Sequence, residues 1–241
     1  MSEGKAGSDK QHGRSYVFIK KYDRSFDFAR PGCHDGEMAE LTQTSDQRLV
    51  KGARARATIA RHAADVASVE GLTGLSLGKL AADLGLSKSG VATLFGTKEN
   101  LQVAAVQAAR DVFIDHVVKP AFGEPRGMPR LLALIDNWFD YVGEPVLPGG
   151  CFRVATTVEF DSRSGPVRDA IDADRRDWFA LLEKEIGRAQ DQGHLVARDA
   201  HVLAFALDAI VAAANTGARM GDETAIPTAR TIVESLLGQA A

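Results

Sequence analysis

The chain has 241 residues with a formal net charge of −3 at pH 7, and 45% of its residues are apolar and 25% charged. These values are typical of a soluble globular protein with one large domain or two modest ones. No apolar run approaches the roughly 18 residues needed to cross a bilayer, and the polar N-terminus lacks the apolar segment of a secretion signal. The sequence therefore predicts a cytoplasmic protein.

Charge is distributed unevenly along the chain. Residues 1–47 carry a net charge of −1, whereas residues 48–101 hold 8 Lys and Arg against 4 Asp and Glu, a net +4. Residues 102–241 hold 14 basic and 20 acidic residues, a net −6. A basic segment on an acidic body favours a polyanionic partner at one end of the molecule.

Residues 1–47 mix Gly, Ser, Lys, Asp and Gln, and Arg30-Pro31-Gly32 breaks any regular element. This composition predicts a mostly disordered extension, with an ordered arm against the body or a nucleic acid as the alternative. Met38 is an alternative start, because every predicted helix follows it. Cys33 and Cys151 are the two cysteines, and their separation predicts two reduced thiols.

From Leu49 onward apolar residues recur at helical spacing, and no run alternates as a strand would, so the sequence predicts an all-α fold. A first helix is expected over 49–70. Short helices are expected over 77–84 and 88–95, each preceded by a serine that can cap it. Further helices are predicted over 98–122, 130–142, 151–160, 166–192, 199–219 and 223–238.

Residues 76–95 combine two short helices with a glycine turn at Gly85. Helices this short are not stable alone and must pack on the helix over 49–70, which predicts a helix-turn-helix unit. The second helix of such a unit enters the DNA major groove with its N-terminal residues against base edges. Two ordinarily packed helices are the alternative.

Candidate DNA contacts follow from this geometry. Lys88 can reach a guanine edge or a phosphate, and Thr93 can contact a base. The helix N-termini at Ser76 and Ser87 offer backbone donors to phosphates. The full candidate set is Ser76, Lys79, Ser87, Lys88, Ser89, Gly90, Ala92, Thr93 and Lys98.

The stretch RARATIARHAADVASVEGLTGLSLGKLAADLGLSKSGVATLFGTKENL, residues 54–101, resembles the DNA-binding domain of the tetracycline-repressor (TetR) family. LSKSG and LFGTKENL carry the most characteristic part of the resemblance. It implies a homodimer, an inducer pocket in the C-terminal domain, and repression relieved by a small molecule. The family often has tyrosine at position 92 and histidine or tyrosine at 94, where this chain has Ala92 and Leu94, so the operator sequence stays open.

Residues 102–241 are apolar enough for a core, and in a ligand-responsive protein some large side chains line a cavity with a few polar anchors. Core packing is the simpler role for each of them. The candidate ligand contacts are Phe113, Asn137, Trp138, Tyr141, Phe152, Thr156, Glu159, Phe160, Trp178 and Phe205, with Thr157 and Asn215 as further polar anchors.

Three further patterns lead to predictions about the body. The spacing of Asp172, Asp174 and Asp177 predicts that these side chains lie on a solvent-exposed face of a helix. Cys151 is expected to be a small buried residue that starts a helix, with a redox-sensing thiol as the alternative. The wide apolar coverage of helices 199–219 and 223–238 predicts a four-helix dimer interface, with a monomeric core as the alternative.

No glycine-rich phosphate loop, HExxH helix or GxSxG elbow occurs, so we expect no enzyme activity, no cofactor and no metal site. The predicted domains are an extension over 1–47, a helix-turn-helix domain over 48–101 and a helical regulatory and dimerisation domain over 102–241. The predicted function is a sequence-specific transcriptional regulator, a repressor released from a pseudo-palindromic operator by a small molecule. The alternatives are a helical small-molecule-binding protein or enzyme that no longer reads DNA, and an activator of the same fold.

Overall fold

The computed structural model describes residues 39–238, with side chains described at residue 47 and from residue 49 onward. All regular structure in this range is helical, which confirms the predicted all-α fold. The predictions for residues 1–38, including the reduced state of Cys33, lie outside the described residues.

Three helices form the N-terminal unit: α1 (Ala39–Glu70), α2 (Leu77–Asp83) and α3 (Lys88–Phe95). Helix α1 begins ten residues before the predicted start. Residues 39–48 contain neither glycine nor proline, so nothing stops the helix from extending in the N-terminal direction. Residues 39–47 are therefore helical and do not belong to an irregular extension.

The remaining helices form the body, and their bounds agree with the predicted ones to within two residues except in the long helix expected over 98–122. That helix is interrupted by a π-helical turn, Ile114–Val118, in which the N–H of Lys119 donates to the carbonyl of Ile114. Pro120, just beyond it, has no N–H and its ring clashes with a regular turn, which accounts for the wide winding. The body helices are α4 (Lys98–Phe113), α5 (Lys119–Ala121), α6 (Met128–Gly143), α7 (Phe152–Phe160), α8 (Pro166–Asp191), α9 (Ala200–Arg219) and α10 (Ala225–Leu237).

One continuous apolar core runs through both parts of the molecule. Helix α1 packs on α4 and on α7, α4 packs on α8, and α8 packs on α9, which in turn packs on α10. In the three-helix unit Leu80, Val91 and Phe95 are buried, and in the body Trp138 and Leu182 are buried. The three-helix unit is therefore attached to the body through α1 and α4.

Helix α9 is apolar on two sides. Leu203 and Leu207 are buried in the core, whereas Val202 and Phe205 are 61% and 58% exposed. By length and composition α9 is the one helix in the described range that is apolar enough to cross a membrane, a test that core helices of soluble proteins also pass. Apolar coverage on two sides is the pattern of a helix that packs on more than one neighbour.

Candidate nucleic-acid interface and ligand cleft

The two short helices of the N-terminal unit are held by the predicted caps. The hydroxyl of Ser76 accepts the N–H of Lys79 (3.1 Å), and the hydroxyl of Ser87 accepts the N–H of Gly90 (3.0 Å). Gly85 has a φ of +64° in the turn between them, a conformation that glycine adopts without strain. These local bonds fix the start and the direction of α3.

The C-terminal end of α3 is tied to α1 by a contact that the sequence pattern did not reveal. The guanidinium of Arg56 donates to the carbonyl of Leu94 (2.5 Å) and lies 4.6 Å from the centroid of the Phe95 ring. A cation near a helix C-terminus and over an aromatic face is stabilising on both counts. Arg56, which the sequence marked only as part of a basic stretch, therefore orients α3.

The outward face of α3 consists of small and polar side chains. Lys88, Ser89, Gly90 and Thr93 are exposed and Ala92 is half-buried. The hydroxyl of Thr93 donates to the carbonyl of Ser89 (2.8 Å), and that of Ser89 donates to the hydroxyl of Ser87 (3.3 Å). Lys88 makes no hydrogen bond or ion pair to any described residue, so its ammonium is available to another molecule.

The two other candidate lysines are engaged within the N-terminal unit. Lys79 pairs with Glu70, and the ammonium of Lys98 donates to the carbonyl of Thr73 (2.6 Å). Exposed pairs of this kind contribute little stability and exchange partners easily. Both ammonium groups lie at the α1–α2 turn, beside Glu70 and Thr73.

Helix α7 and the loop before it add hydrogen bonds to the junction between the N-terminal unit and the body. The carboxylate of Glu159, a predicted ligand anchor, accepts the backbone N–H groups of Leu72 and Thr73 at 2.7 Å each. The N–H of Gly149 donates to the hydroxyl of Ser68 (2.8 Å) on α1. Glu159 therefore joins α7 to the α1–α2 turn instead of lining a cavity.

A narrow cleft opens between α4, α6, α7 and α8; about 10 Å³ lies enclosed within its walls, and its mouth is open to solvent. An adjoining cleft shares Arg110, Phe113, Arg153 and Asp174 with it. Five predicted ligand contacts line the two clefts: Phe113, Tyr141, Phe152, Thr156 and Trp178.

The other predicted contacts lie elsewhere. The amide of Asn137 donates to the carbonyl of Val117 (3.0 Å), and Trp138 is a core residue whose indole nitrogen has no partner among the described residues. Phe160 packs against the guanidinium of Arg163 (4.8 Å). Phe205, on the exposed side of α9, lines neither cleft, because the face of α9 that meets the core carries Leu203 and Leu207.

The two further anchors also have structural partners. The hydroxyl of Thr157 donates to the carbonyl of Arg153 (2.7 Å). The amide oxygen of Asn215 accepts the N–H of Cys151 (2.9 Å). Asn215 on α9 therefore holds the start of α7, whereas the Thr157 bond lies within α7.

A charged cluster lies between the clefts. Arg153 Nε donates to Asp174 Oδ2 (2.8 Å), and Arg110 Nη2 donates to Asp177 Oδ2 (2.5 Å). These four side chains are only 10–15% exposed. The prediction of a solvated face is therefore wrong for Asp174 and Asp177, although Asp172 does pair with Arg176 at the surface.

The guanidinium of Arg153 also lies 4.4 Å from the centroid of the Phe113 ring and 5.5 Å from that of Trp178. Burial lowers the pKa of Arg153, but the charge and hydrogen bond of Asp174 together with the nearby Cys151 and Asp208 outweigh burial and leave the pKa above its ordinary value. The sequence prediction missed Arg110, Arg153 and Asp174, because their partners are distant in the chain.

Two other titratable groups are affected by the same environment. Burial raises the pKa of Asp208, whose carboxylate accepts the indole N–H of Trp178 (3.0 Å), and Arg153 offsets part of that rise. Burial also raises the pKa of the Cys151 thiol, a free cysteine at the start of α7. A protonated, enclosed thiol is a poor nucleophile, which agrees with the predicted structural role for Cys151.

Among the residues that the structure describes, no group of three His, Cys, Asp or Glu side chains is arranged to hold a metal ion.

Comparison with known proteins identifies this architecture. The model of the tetracyclin repressor-like C-terminal domain matches residues 127–233. A TetR transcriptional regulator from Chloroflexus aurantiacus, 25% identical, superposes with a TM-score of 0.73 over 78% of this chain and 96% of its own. Residues 127–233 thus resemble the C-terminal domain of the tetracycline repressor family. The chain has the fold of a TetR-family transcriptional regulator.

Two further solved structures share the fold at lower identity. AibR, solved with isovaleryl coenzyme A and operator DNA, is 22% identical and superposes with a TM-score of 0.61 over 76% of this chain and 98% of its own. A putative transcriptional regulator from Saccharomonospora viridis, solved with choline, is 18% identical, with a TM-score of 0.67 over 78% of this chain and 97% of its own. A search of curated proteins finds no match.

Proposed function

We propose that this protein is a TetR-family sequence-specific DNA-binding regulator, a cytoplasmic repressor that a small molecule releases from a pseudo-palindromic operator. The observation that carries the proposal is the outward face of α3. Its small side chains permit close approach to a groove, and the unpaired ammonium of Lys88 lies at its N-terminal end. Residues 48–101 are the DNA-binding domain, and residues 102–241 are the regulatory and dimerisation domain.

Two copies present two recognition helices, as an operator with two-fold symmetry requires. The exposed apolar residues of α9 and α10, among them Phe205 and Ile232, support a four-helix interface between copies. The two α3 helices then enter successive major grooves about 34–36 Å apart, or slightly more.

Release by a ligand would act through α7. Arg153 and Thr156 line the cleft, and Glu159 on the same helix binds the α1–α2 turn. A ligand that favours one position of α7 thereby favours one position of the DNA-binding domain, and a spacing that does not fit the operator weakens DNA binding. The complexes of AibR with an acyl coenzyme A and operator DNA, and of the Saccharomonospora regulator with choline, support a ligand-responsive role.

The test compares DNA binding by the wild-type chain, the Lys88→Ala/Thr93→Ala variant and the Arg176→Ala variant, with the DNA upstream of the protein's own gene as probe. Loss of two contacts at the recognition helix is expected to weaken binding by at least about tenfold. Arg176 is exposed and lies on α8, so its replacement removes one positive charge away from the interface and should leave binding within about twofold.

A second function is favoured by Ala92 and Leu94, which replace side chains that often contact DNA in the family. In this alternative the chain is a helical small-molecule-binding protein or enzyme that does not read DNA. Equal DNA affinity of the wild type and the Lys88→Ala/Thr93→Ala variant would support this alternative.

Reporter expression in a strain that lacks the gene distinguishes a repressor, whose loss raises expression, from an activator.

A further inference from the structure

We propose that the cleft between α4, α6, α7 and α8 binds a compact carboxylate with an apolar body, and that the guanidinium of Arg153 binds the carboxylate group. The proposal rests on the proposed function, in which this cleft is the effector site. It goes further by naming the chemical class of the ligand and the side chain that selects it.

The first argument concerns the hydrogen-bond donors of Arg153. A guanidinium carries five N–H donors, and in Arg153 only Nε has an acceptor, Asp174 Oδ2, among the described residues. The side chain is nine-tenths buried. Trp138 Nε1 is the one fully enclosed side-chain nitrogen or oxygen in the described range that lacks a partner, so the terminal nitrogens of Arg153 reach open space. The open space beside Arg153 is that of the two clefts.

The second argument concerns charge. The rings of Phe113 and Trp178 would otherwise suit a cationic ligand, but the guanidinium of Arg153 already lies over both of them. Asp174 and Asp177, which also line the clefts, are already paired with the arginines there. The donors that lack an acceptor among the described residues are the terminal nitrogens of Arg153, so the group that completes the site is an oxygen acceptor.

The third argument distinguishes a carboxylate from a neutral acceptor. The edge formed by the two terminal nitrogens of a guanidinium presents parallel N–H groups, which match the two oxygens of a carboxylate. Asp174 occupies the Nε position and leaves that edge open, so one guanidinium can bind both carboxylates. An amide offers a single oxygen and satisfies fewer of the open donors.

The fourth argument concerns the body of the ligand. The cleft walls around Arg153 are apolar, formed in part by Val106, Phe152 and Ile171. Only about 10 Å³ lies enclosed within the walls, room for about one water molecule, so the body of the ligand must be small and extend into the open mouth of the cleft. A short alkyl chain matches these apolar walls.

The experiment is titration calorimetry of the full chain with hexanoate, hexanamide and hexyltrimethylammonium, followed by butanoate and benzoate. We expect hexanoate to bind at least about tenfold more tightly than hexanamide, and the cation not to bind. Arg153→Met should weaken hexanoate binding by at least about tenfold. The matched control is Arg163→Met, which removes an arginine that also lies over a phenylalanine but lines neither cleft; hexanoate affinity should be unchanged there.

If Arg153→Met does not fold by circular dichroism, Arg153→Lys is the test, because lysine keeps the charge and loses the two-nitrogen edge. We then expect a loss of about fivefold to tenfold in hexanoate affinity. Equal affinities for hexanoate and hexanamide, tighter binding of the cation, an unchanged affinity in the Arg153 variants, or no binding of any of the three carboxylates would overturn the proposal.

The calorimetry contains no DNA, so its outcome is independent of the operator assay. Arg153-dependent binding of hexanoate by a chain that binds no DNA would support the ligand class and contradict the regulatory function. Operator DNA that is bound and then released by hexyltrimethylammonium alone would support the regulatory function and contradict the ligand class.

Discussion

The carboxylate of Glu159 accepts the backbone N–H of Leu72 at 2.7 Å, and its second oxygen accepts the neighbouring N–H of Thr73 at the same distance. These two donors follow the C-terminal end of α1. One side chain of the body thus fixes the turn that leads into α2. Because both bonds are made to an ionised acceptor, they are stronger than bonds between neutral groups.

Replacement of Glu159 by alanine leaves two backbone donors without their acceptor. We expect Glu159→Ala to lower the free energy of unfolding by about 2 kcal/mol, and Glu159→Gln to have an intermediate effect because an amide has one acceptor oxygen. Urea denaturation measures both. Asp161→Ala is the control, since Asp161 is exposed and its carboxylate accepts only from the adjacent Ser162. Equal stabilities of Glu159→Ala and Asp161→Ala would contradict a role for Glu159 at the junction.

Gly149 allows the loop before α7 to lie directly against α1. A Cβ at this position would lie 1.7 Å from the carbonyl oxygen of Ser68, a backbone atom that cannot move aside alone. We expect Gly149→Ala to cost about 3 kcal/mol or more, or to prevent folding. Gly187→Ala is the matched control: a Cβ at Gly187, within α8, meets nothing within 4 Å, so alanine should stabilise that helix by about 1 kcal/mol. Thermal unfolding of both variants measures the contrast, and destabilisation by both would contradict this explanation.

Phe205 lies on the exposed side of α9, where we place the interface between two copies. A charge there would be enclosed in the dimer without a partner, so Phe205→Glu should shift the population towards monomer. Light scattering after size-exclusion chromatography measures the mass. Val158→Glu, which puts the same charge on an apolar residue of α7 that is 75% exposed, should keep the wild-type mass. A dimer of unchanged mass in Phe205→Glu would place the interface elsewhere.

Asp208 affects how stability depends on pH. Burial raises its pKa above the ordinary value of 3.8, and Arg153 and the Trp178 N–H offset only part of the rise. The folded state therefore holds this proton more tightly than the unfolded state does. The resulting stabilisation is fully present below the unfolded pKa and is lost as the pH rises through the folded one.

Asp208→Asn removes this titration and keeps an oxygen for the indole N–H of Trp178. We expect the stability of the variant relative to wild type to increase from pH 3.5 to pH 7, as measured by urea denaturation across that range. Asp191→Asn, an exposed change at the end of α8, should show no such increase. A stability difference between Asp208→Asn and wild type that stayed constant with pH would contradict a raised pKa for Asp208.

The helix-turn-helix unit could be predicted because its signals are local. Ser76 and Ser87 each bond a backbone N–H three residues away, and Gly85 ends a helix by its own conformational freedom. The extended start of α1 was missed for the opposite reason: residues 39–48 contain neither glycine nor proline, so no residue there marks where that helix begins.

The polar residues of the cleft and of the junction could not be predicted in the same way. Arg153 and Asp174 are 21 positions apart, and Arg110 and Asp177 are 67 apart, so their pairing depends on how three helices pack. The acidic residues of α8 have the same spacing whether they meet water or arginines. Glu159 accepts backbone N–H groups, which every residue except proline has. No residue type in the sequence therefore indicates its partners.

The π-helical turn at 114–118 makes the orientation of the helices on either side depend on the number of residues in this segment. Single substitutions do not test this dependence. Each residue of a helix adds about 100° of rotation and 1.5 Å of rise, so removal of one residue from the wide turn would rotate α4 relative to α5. In a symmetric pair the two copies would be displaced in directions related by the two-fold axis, and both displacements would change the separation of the recognition helices. Insertions and deletions in this short segment should therefore alter which operator spacing is bound, whereas the same changes in the loop over 222–224 should be tolerated.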